Sequence, residues 1–412
     1  MKSKHIVTYP NTKFAVISDL HYYDNSLGTT GVAFENVLKS DRKLLKDSAD
    51  LLNFAVDNIL KYNVKFVLVP GDLTKDGELL CHQKAAKALS KLTNHGVKVY
   101  VIPGNHDINN PLSYKYEGNV EIRVPNITPN EFSDIYKDCG YNSTIYRDPN
   151  TLSYVVEPVD NLWVVALDTC RYKENKPRHK EIVSGKLSQD EEKWLCDILK
   201  KAKLNKKAVI VLEHHGLVEH WTGQNKLDPA FLIQNYKHVG KFVASYDVRL
   251  AFTGHYHAQD ITLGNFDNDG FIYDIETGSL VTPPCPVRYC SINENKITIK
   301  SDFLIDKLHP NTSFAKNARQ FVFDSIRRYA YKTLREYLVS AADADKIAKY
   351  IAVSFVEHYN GDEKIKDRPF FDRSKLRCWS KIVFSREKYI IDGLWRDLPP
   401  KDNDITLDLN KI

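Results

Sequence analysis

Short apolar runs alternate with amphipathic patterns in the N-terminal part of the chain. The runs at 14–17, 64–69 and 97–102 are separated by apolar residues at helical spacing, which predict a helix from about 44 to 62 and another from 78 to 92. Short buried strands that alternate with helices are typical of parallel β-α-β units. We therefore predict a sheet whose strands end at one edge, where open α/β sheets bind their ligands.

Two segments interrupt this alternation. Residues 22–41 contain Gly28 among tyrosines and threonines in an order too irregular to predict a regular element. The stretch 109–151 contains several prolines and a short helical piece near 131–137, so we predict an insertion over the same edge of the sheet. Long loops beside binding residues are usually functional.

The patterns further along the chain predict a second sheet. Ser188 and Glu191 have the spacing of a capping box, which predicts the start of a helix there. The predicted strands are 152–156, 162–167, 208–212 and 249–252, with several more between 261 and 299. We predict an α/β fold, an α+β sandwich of two packed mixed β-sheets flanked by helices.

The hydrophobic pattern changes after Pro310, where apolar residues recur at helical spacing. With 412 residues the chain exceeds what one hydrophobic core usually holds. We therefore predict a catalytic domain at 1–305 and a mostly helical C-terminal domain at 306–412. A role of the second domain in covering the substrate and a purely stabilising role both remain open.

Composition narrows the class of protein. Hydrophobic residues make up 42% and charged residues 27%, as in ordinary globular proteins, and the net charge of +5 is spread among acidic residues. No basic tail or clear nucleic-acid-binding region is therefore predicted. The sequence leaves the oligomeric state open.

Cysteines and apolar runs bear on the compartment. The seven cysteines are odd in number, scattered, and include no C-x-x-C pair, so neither a zinc knuckle nor a disulfide framework is predicted. The N-terminus has no apolar signal region, and no run reaches the ~18 apolar residues of a membrane span. These features predict a reduced, cytoplasmic protein with no membrane span, although a removed signal or lipoprotein leader is an open alternative.

Polar motifs follow the predicted strands wherever an apolar run ends. Each contains imidazole, carboxylate or amide groups, and none contains a thiolate. Such mixed ligands suit Mn, Fe, Zn, Co or Ni better than calcium or structural zinc. One such motif is weak evidence, whereas five in order are strong evidence for a metal site. The motifs are Ser18-Asp19-Leu20-His21, Gly71-Asp72, Gly104-Asn105-His106-Asp107, Glu213-His214-His215-Gly216 and Thr253-Gly254-His255-Tyr256-His257.

This ordered set resembles the calcineurin-like metallophosphoesterase superfamily, whose pattern is D-x-H, GD, GNHD, H and GHxH. The resemblance implies two divalent metal ions and a bridging ligand, Asp72. The first ion would be completed by Asp19, His21 and His257, and the second by Asn105, His214 and His255. Two divalent ions, two carboxylates and a bridging hydroxide leave a net positive charge, which attracts a phosphate oxyanion.

The resemblance also implies a role for His106, which follows a ligand but would stay off the metals. It would protonate the leaving oxygen or stabilise the transition state. Asp76 and Asp107 are both candidates to orient His106 from the second shell of the site. Asp168 is interpreted as a structural residue or as one that supports a ligand without binding metal itself, and His215 as a packed neighbour of His214. The remaining histidines His82, His95 and His220 have no motif context and are expected at the surface or in the core.

The resemblance implies a phosphoric ester hydrolase in which a metal-activated hydroxide attacks phosphorus. The segment 71–77 and the helical tail look like bacterial cyclic-nucleotide phosphodiesterase-like members, which implies a small phosphodiester substrate such as a cyclic nucleotide. A phosphomonoesterase and a DNA exonuclease of the same superfamily are alternatives. A scaffold that binds partners without catalysis is an alternative from another class, because a fold does not guarantee a function.

Overall fold

The structure is a computed structural model that describes residues 7–411. Its strands are β1 Thr12–Val16, β2 Phe66–Val69, β3 Lys98–Val101, β4 Tyr114–Glu117, β5 Val120–Arg123, β6 Tyr146–Arg147, β7 Tyr154–Val159, β8 Leu162–Leu167, β9 Ala208–Glu213, β10 Leu250–Thr253, β11 Asp260–Asn265, β12 Phe271–Glu276, β13 Pro286–Asn293, β14 Lys296–Phe303 and β15 Asp404–Asp408. Its α-helices are α1 Val32–Ser40, α2 Ser48–Ile59, α3 Leu79–Asn94, α4 Pro129–Ile135, α5 Gln189–Leu204, α6 Gln224–Leu227, α7 Tyr236–Ser245, α8 Phe314–Glu336, α9 Ala341–Asn360 and α10 Cys378–Leu394.

The first sheet combines the predicted parallel strands with a later antiparallel group. Its strand order is β15–β14–β13–β1–β2–β3. The pairs β1–β2 and β2–β3 are parallel and are connected by α2 and α3, which confirms the β-α-β-α-β arrangement. The pairs formed by β13 with β1 and with β14 are antiparallel.

The second sheet has the order β11–β12–β10–β9–β8–β7–β6. Its centre is parallel, from β8 through β9 and β10 to β12. Its two sides are antiparallel, and β7 pairs with β8 as the predicted hairpin. Both sheets are therefore mixed: the parallel strands β1, β2 and β3 form one side of the first sheet, whereas the parallel strands of the second sheet form its centre.

The two sheets pack against each other through buried aromatic residues. The rings of Phe14 in β1 and Phe252 in β10 meet edge to face, with centroids 5.3 Å apart. Phe14 also stacks on Phe66 of β2 at 4.8 Å. The hydroxyl of Tyr9 donates to the carbonyl oxygen of Val209 in β9 at 2.8 Å. The predicted fold of two packed mixed sheets flanked by helices is confirmed.

The prediction that residues 22–41 form no regular element is wrong, because they contain helix α1. Phe34 is fully buried in α1, and its ring packs 5.6 Å from Tyr23 and 5.4 Å from Tyr116, measured between centroids. Tyr116 belongs to the β4–β5 hairpin of the insertion. The helix has a narrow apolar face that is completed by residues distant in sequence, so its own pattern was too short to predict it.

The capping box predicted at the start of α5 is only half formed. The hydroxyl of Ser188 accepts from the backbone N–H of Glu191 at 3.1 Å. The carboxylate of Glu191 turns instead into the core, where the hydroxyl of Ser153 donates to it. A full capping box caps α4, between Thr128 and Glu131.

The helical character predicted for residues after Pro310 is confirmed by α8, α9 and α10. The chain then returns to the first sheet, where β15 pairs antiparallel with β14. The range 306–412 thus contributes a strand to a sheet of the range 1–305, and the domain boundary stays a prediction. Within residues 7–411, no helix combines the length and the apolar character needed to cross a lipid bilayer.

Candidate metal centre

The residues of the candidate site follow the ends of strands in both sheets. Several of them have a backbone in the left-handed region, with φ of 49° at Asp19, 35° at His21, 49° at Asp72, 75° at His255 and 68° at His257. This conformation is uncommon for residues other than glycine and costs free energy. These strained residues lie in the turns that direct their side chains to the candidate site.

The first group consists of Asp19, His21, Asp72 and His257, whose ligand atoms all lie within 4.8 Å of one another. Nε2 of His21 is 3.1 Å from Nε2 of His257 and 3.6 Å from Oδ2 of Asp72. Nε2 of His257 is 3.4 Å from Oδ1 of Asp19. Two imidazoles and two carboxylates therefore face a common point.

The second group consists of Asp72, His214 and His255. Nε2 of His214 is 3.4 Å from the same Oδ2 of Asp72 and 3.2 Å from Oδ1 of Asn105. Nε2 of His255 and Nδ2 of Asn105 are buried without a hydrogen-bond partner among the described residues. Buried polar atoms normally have hydrogen-bond partners, so two buried atoms without one point to a bound ligand. The two donor sets, which share one carboxylate oxygen, fit a pair of divalent cations.

Two glycines of the motifs permit this close packing. A Cβ at Gly104 would lie 2.1 Å from Oδ1 of Asp72, and a Cβ at Gly254 would lie 2.5 Å from Oδ2 of Asp19. Both distances are far shorter than a carbon–oxygen contact. Only glycine therefore lets these turns approach the carboxylates.

Hydrogen bonds from the backbone orient the candidate ligands. Nδ1 of His214 lies 2.7 Å from the carbonyl oxygen of Pro70, which leaves Nε2 directed into the site. The backbone N–H of His255 donates to both oxygens of Asp19 at 3.1 and 3.0 Å. The backbone N–H of His106 donates to Oδ1 of Asp72 at 2.9 Å, so the other oxygen of that carboxylate is the one that both groups share. Contacts of this kind fix ligand orientation in metal sites.

Asp76, and not Asp107, contacts the side chain of His106. Nδ1 of His106 lies 2.8 Å from Oδ1 of Asp76. The carboxylate of Asp107 instead accepts from the backbone N–H groups of Leu73, Thr74 and Gly104, and so ties two motif turns together. The side chain of His106 is 18% exposed, whereas those of His21 and His214 are fully buried. It is therefore open to a substrate.

The carboxylates and imidazoles of the site shift one another's pKa values. Burial acts to raise the pKa of Asp72, but the neighbouring histidines, His214 foremost, lower it well below its usual range. Burial acts to lower the pKa of His214, yet the charge and hydrogen bond of Asp72 raise it to about 9. Burial likewise acts to lower the pKa of His106, but Asp72 and Asp76 together raise it to about 9. A cation at this site would therefore compete with a proton for His214.

The other candidate residues of the sequence analysis belong to neither donor group and make contacts within the protein. Asp168 accepts from the hydroxyl of Tyr172 and from the backbone N–H of Leu152. His215 is fully buried, with its ring nitrogens on Oγ1 of Thr169 and the carbonyl oxygen of Val183. His82 is also buried, whereas His95 is exposed.

Sequence reasoning missed two features, a lysine at the site and a buried histidine among carboxylates. Lys43, which follows α1, places Nζ 3.5 Å from Nδ1 of His21. His220 is fully buried among three carboxylates, with Nδ1 2.7 Å from Asp260 and Nε2 3.4 Å from Asp274 and 3.5 Å from Glu276. Neither has a motif, although the long segment that carries Lys43 beside the first ligands was a usable signal.

The solved structures that match the chain include the following three. A dimetal phosphatase from Danio rerio is 19% identical, with 71% of this chain and 96% of that chain covered and a TM-score of 0.49. A purple acid phosphatase from yellow lupin (Lupinus luteus) seeds is 12% identical, with 73% and 52% covered and a TM-score of 0.41. The phosphopantetheinyl hydrolase of Mycobacterium tuberculosis is 13% identical, with 65% and 90% covered and a TM-score of 0.31.

Comparison with protein families gives a direct assignment. No curated protein matches the chain. The family model for calcineurin-like phosphoesterases matches residues 12–259, which is more than half of the chain and includes every motif described above. The chain therefore belongs to the calcineurin-like phosphoesterase family.

Proposed function

We propose that the chain is a metal-dependent phosphodiesterase that hydrolyses small phosphodiesters, with cyclic nucleotides as the first substrate class to test. The observation that carries this proposal is the contact between Asp76 and His106 at the open side of the site. Hydrolysis of such a diester expels an alkoxide, which leaves poorly unless it is protonated. A histidine held by a carboxylate beside the metal groups is suited to supply that proton.

Each candidate residue has a distinct role in this proposal. When bound, two divalent cations would polarise the phosphoryl oxygens and activate a water. Asp72 would hold both ions, and the two groups described above, with Asn105, would complete the ligand sets. His106 would deliver a proton to the leaving oxygen, with Asp76 fixing its ring.

A phosphomonoesterase is the second candidate. The observation that favours it is the presence of two basic side chains beside His21: Nζ of Lys43 lies 3.5 Å from Nδ1 of His21, and the ring centroid of His106 lies 5.0 Å from that of His21. Additional positive charge favours the dianion of a monoester over the monoanion of a diester. The two candidates are therefore separated by their relative rates on matched esters.

The decisive experiment is a substrate panel with Mn²⁺-loaded protein. It comprises 2′,3′- and 3′,5′-cyclic nucleotides, bis-p-nitrophenyl phosphate, p-nitrophenyl phosphate, and single- and double-stranded DNA. We expect kcat/KM to be highest for a cyclic nucleotide and DNA to be a poor substrate. A higher value for the monoester would support the second candidate, and hydrolysis of none of them by fully loaded protein would support a scaffold without catalysis.

Metal analysis accompanies the panel. Protein saturated with Mn²⁺ and freed of weakly bound ion should contain close to two ions per chain, since two donor sets are present. Asp72→Asn should reduce this content, because Asp72 is the one residue among 7–411 that belongs to both sets. Asp168→Asn is a matched control, because Asp168 is a buried strand-end carboxylate that belongs to neither set.

A further inference from the structure

Lys43 brings a flexible cationic side chain to the candidate metal centre. Its Nζ lies 3.5 Å from Nδ1 of His21, and its side chain is 13% exposed. The rings of His21 and His106 meet edge to face with centroids 5.0 Å apart. Lys43 and the histidine proposed to protonate the leaving group therefore both lie beside His21.

The contact between Lys43 and His21 cannot persist when His21 binds a metal ion. Nε2 of His21 faces the metal group, so ligation through Nε2 leaves the ring proton on Nδ1. Nδ1 then donates, and an ammonium group has only donors. Within residues 7–411, the carboxylate that remains within 4.0 Å of Nζ is that of Asp41, at 4.0 Å. The ammonium is left with free donors beside the place of the substrate phosphate.

The C-terminal helices hold the segment that carries Lys43. Ser325 of α8 donates its hydroxyl hydrogen to the carbonyl oxygen of Asp41 at 2.6 Å. Arg42 donates from Nη1 to the hydroxyl oxygen of Tyr359 at the end of α9, also at 2.6 Å. Both residues that precede Lys43 are therefore anchored, while its own side chain remains free to turn.

We propose that Lys43 binds the non-bridging oxygens of the substrate phosphate, and that Tyr359 acts as a positioning residue for it. The inference rests on the proposed function, because it assumes a phosphate ester at this site. In this proposal the C-terminal helices α8 and α9 fix the backbone position of the segment that carries Lys43. A phosphate oxyanion is the ligand that satisfies an ammonium with free donors.

Phosphate affinity tests the role of Lys43 independently of turnover. Binding of inorganic phosphate to Mn²⁺-loaded protein is measured by calorimetry, together with metal content and thermal stability. Lys43→Gln should weaken phosphate binding by about tenfold to 100-fold, as expected for a hydrogen bond to a charged group. Lys43→Arg should recover most of that affinity because it keeps the charge. Lys39→Gln, an exposed lysine on α1, should bind phosphate like the wild type.

Tyr359→Phe tests the anchoring, because it removes one hydroxyl and keeps the ring. We expect weaker phosphate binding in this variant and no further effect when it is combined with Lys43→Gln. A purely structural role would lower the melting temperature without this dependence on Lys43. Equal effects of Tyr359→Phe in the presence and absence of Lys43 would overturn the positioning role.

The outcomes separate this inference from the proposed function. If the wild type hydrolyses no diester but Lys43→Gln still weakens phosphate binding, the proposed function fails and the role of Lys43 stands. If the wild type is an active diesterase and Lys43→Gln matches Lys39→Gln in phosphate affinity and in KM, the role of Lys43 is refuted. Loss of metal ions from Lys43→Gln would also overturn it, because Lys43 would then support the metal centre itself.

Discussion

Replacing Gly104 with alanine places a methyl group where Asp72 now lies. The added Cβ would be 2.1 Å from Oδ1 and 2.3 Å from the backbone nitrogen of Asp72, whereas real Cβ contacts below 3.0 Å are essentially never found. The two turns must therefore separate by roughly 1 Å, and such overpacking typically costs about 1–3 kcal/mol of stability. Metal ligands tolerate deviations of only about 0.2 Å, so the metal centre should suffer far more than the fold.

The assay compares metal content and stability in the same samples. Gly104→Ala should remain folded in urea titrations but lose at least one Mn²⁺, and phosphoesterase activity should fall by about 10²-fold or more. Gly216→Ala is the matched control, because its Cβ would meet Cδ2 of Leu232 at 3.2 Å, the carbonyl oxygen of Val218 at 3.5 Å and Oδ2 of Asp274 at 3.6 Å, all of them beyond 3.0 Å. Two tightly bound ions in Gly104→Ala would refute the reasoning, since Asp72 would then not depend on this packing.

Three further predictions concern individual histidines. His106→Ala should keep both metal ions and lose about 10²–10⁴-fold in rate on diesters with alkoxide leaving groups, but less on a p-nitrophenyl diester, because nitrophenolate leaves without a proton. Because Asp72 raises the pKa of His214 to about 9, a proton competes with the metal ion, so Mn²⁺ affinity measured against a chelator should rise with pH up to about 9 and then level off. A flat profile would contradict that assignment. His220→Ala should destabilise the protein by about 3–5 kcal/mol in urea unfolding, because it leaves buried carboxylates unpaired. Burial acts to lower the pKa of His220, but the surrounding carboxylates raise it well above its usual value. The stability that His220 contributes should therefore be complete below about pH 6.5 and be lost as pH rises through the raised pKa.

The candidate ligands were predictable because their signal is local. Each lies within a few positions of the end of an apolar run, so strand pattern and motif point to the same residue. The choice between Asp76 and Asp107 as the partner of His106 was not predictable. Both are carboxylates near motif turns, and only the folded backbone shows that Asp107 is occupied by N–H groups while Asp76 reaches the ring.

What the sequence did not predict depends on contacts between distant segments. Helix α1 buries Phe34 against Tyr116 of the insertion. His220 has partners that come from β11 and β12, so no spacing in the sequence distinguishes it from a surface histidine. The segment that carries Lys43 is held by Ser325 of α8 and Tyr359 of α9, which are 284 and 317 residues away in sequence from their partners Asp41 and Arg42. In each case the chemistry of the residue comes from tertiary packing.

The return of β15 to the first sheet has a consequence for synthesis of the chain. Its partner β14 ends at Phe303, and β15 begins at Asp404. At about 5–20 residues per second, the intervening helices take roughly 5–20 s to translate, and during that time the outer edge of β14 has no partner strand. An unpaired edge invites association with other chains, and charged side chains reduce that risk. Lys296, Lys300 and Asp302 supply such charges along β14, so this edge is charged during the time before β15 has been synthesised.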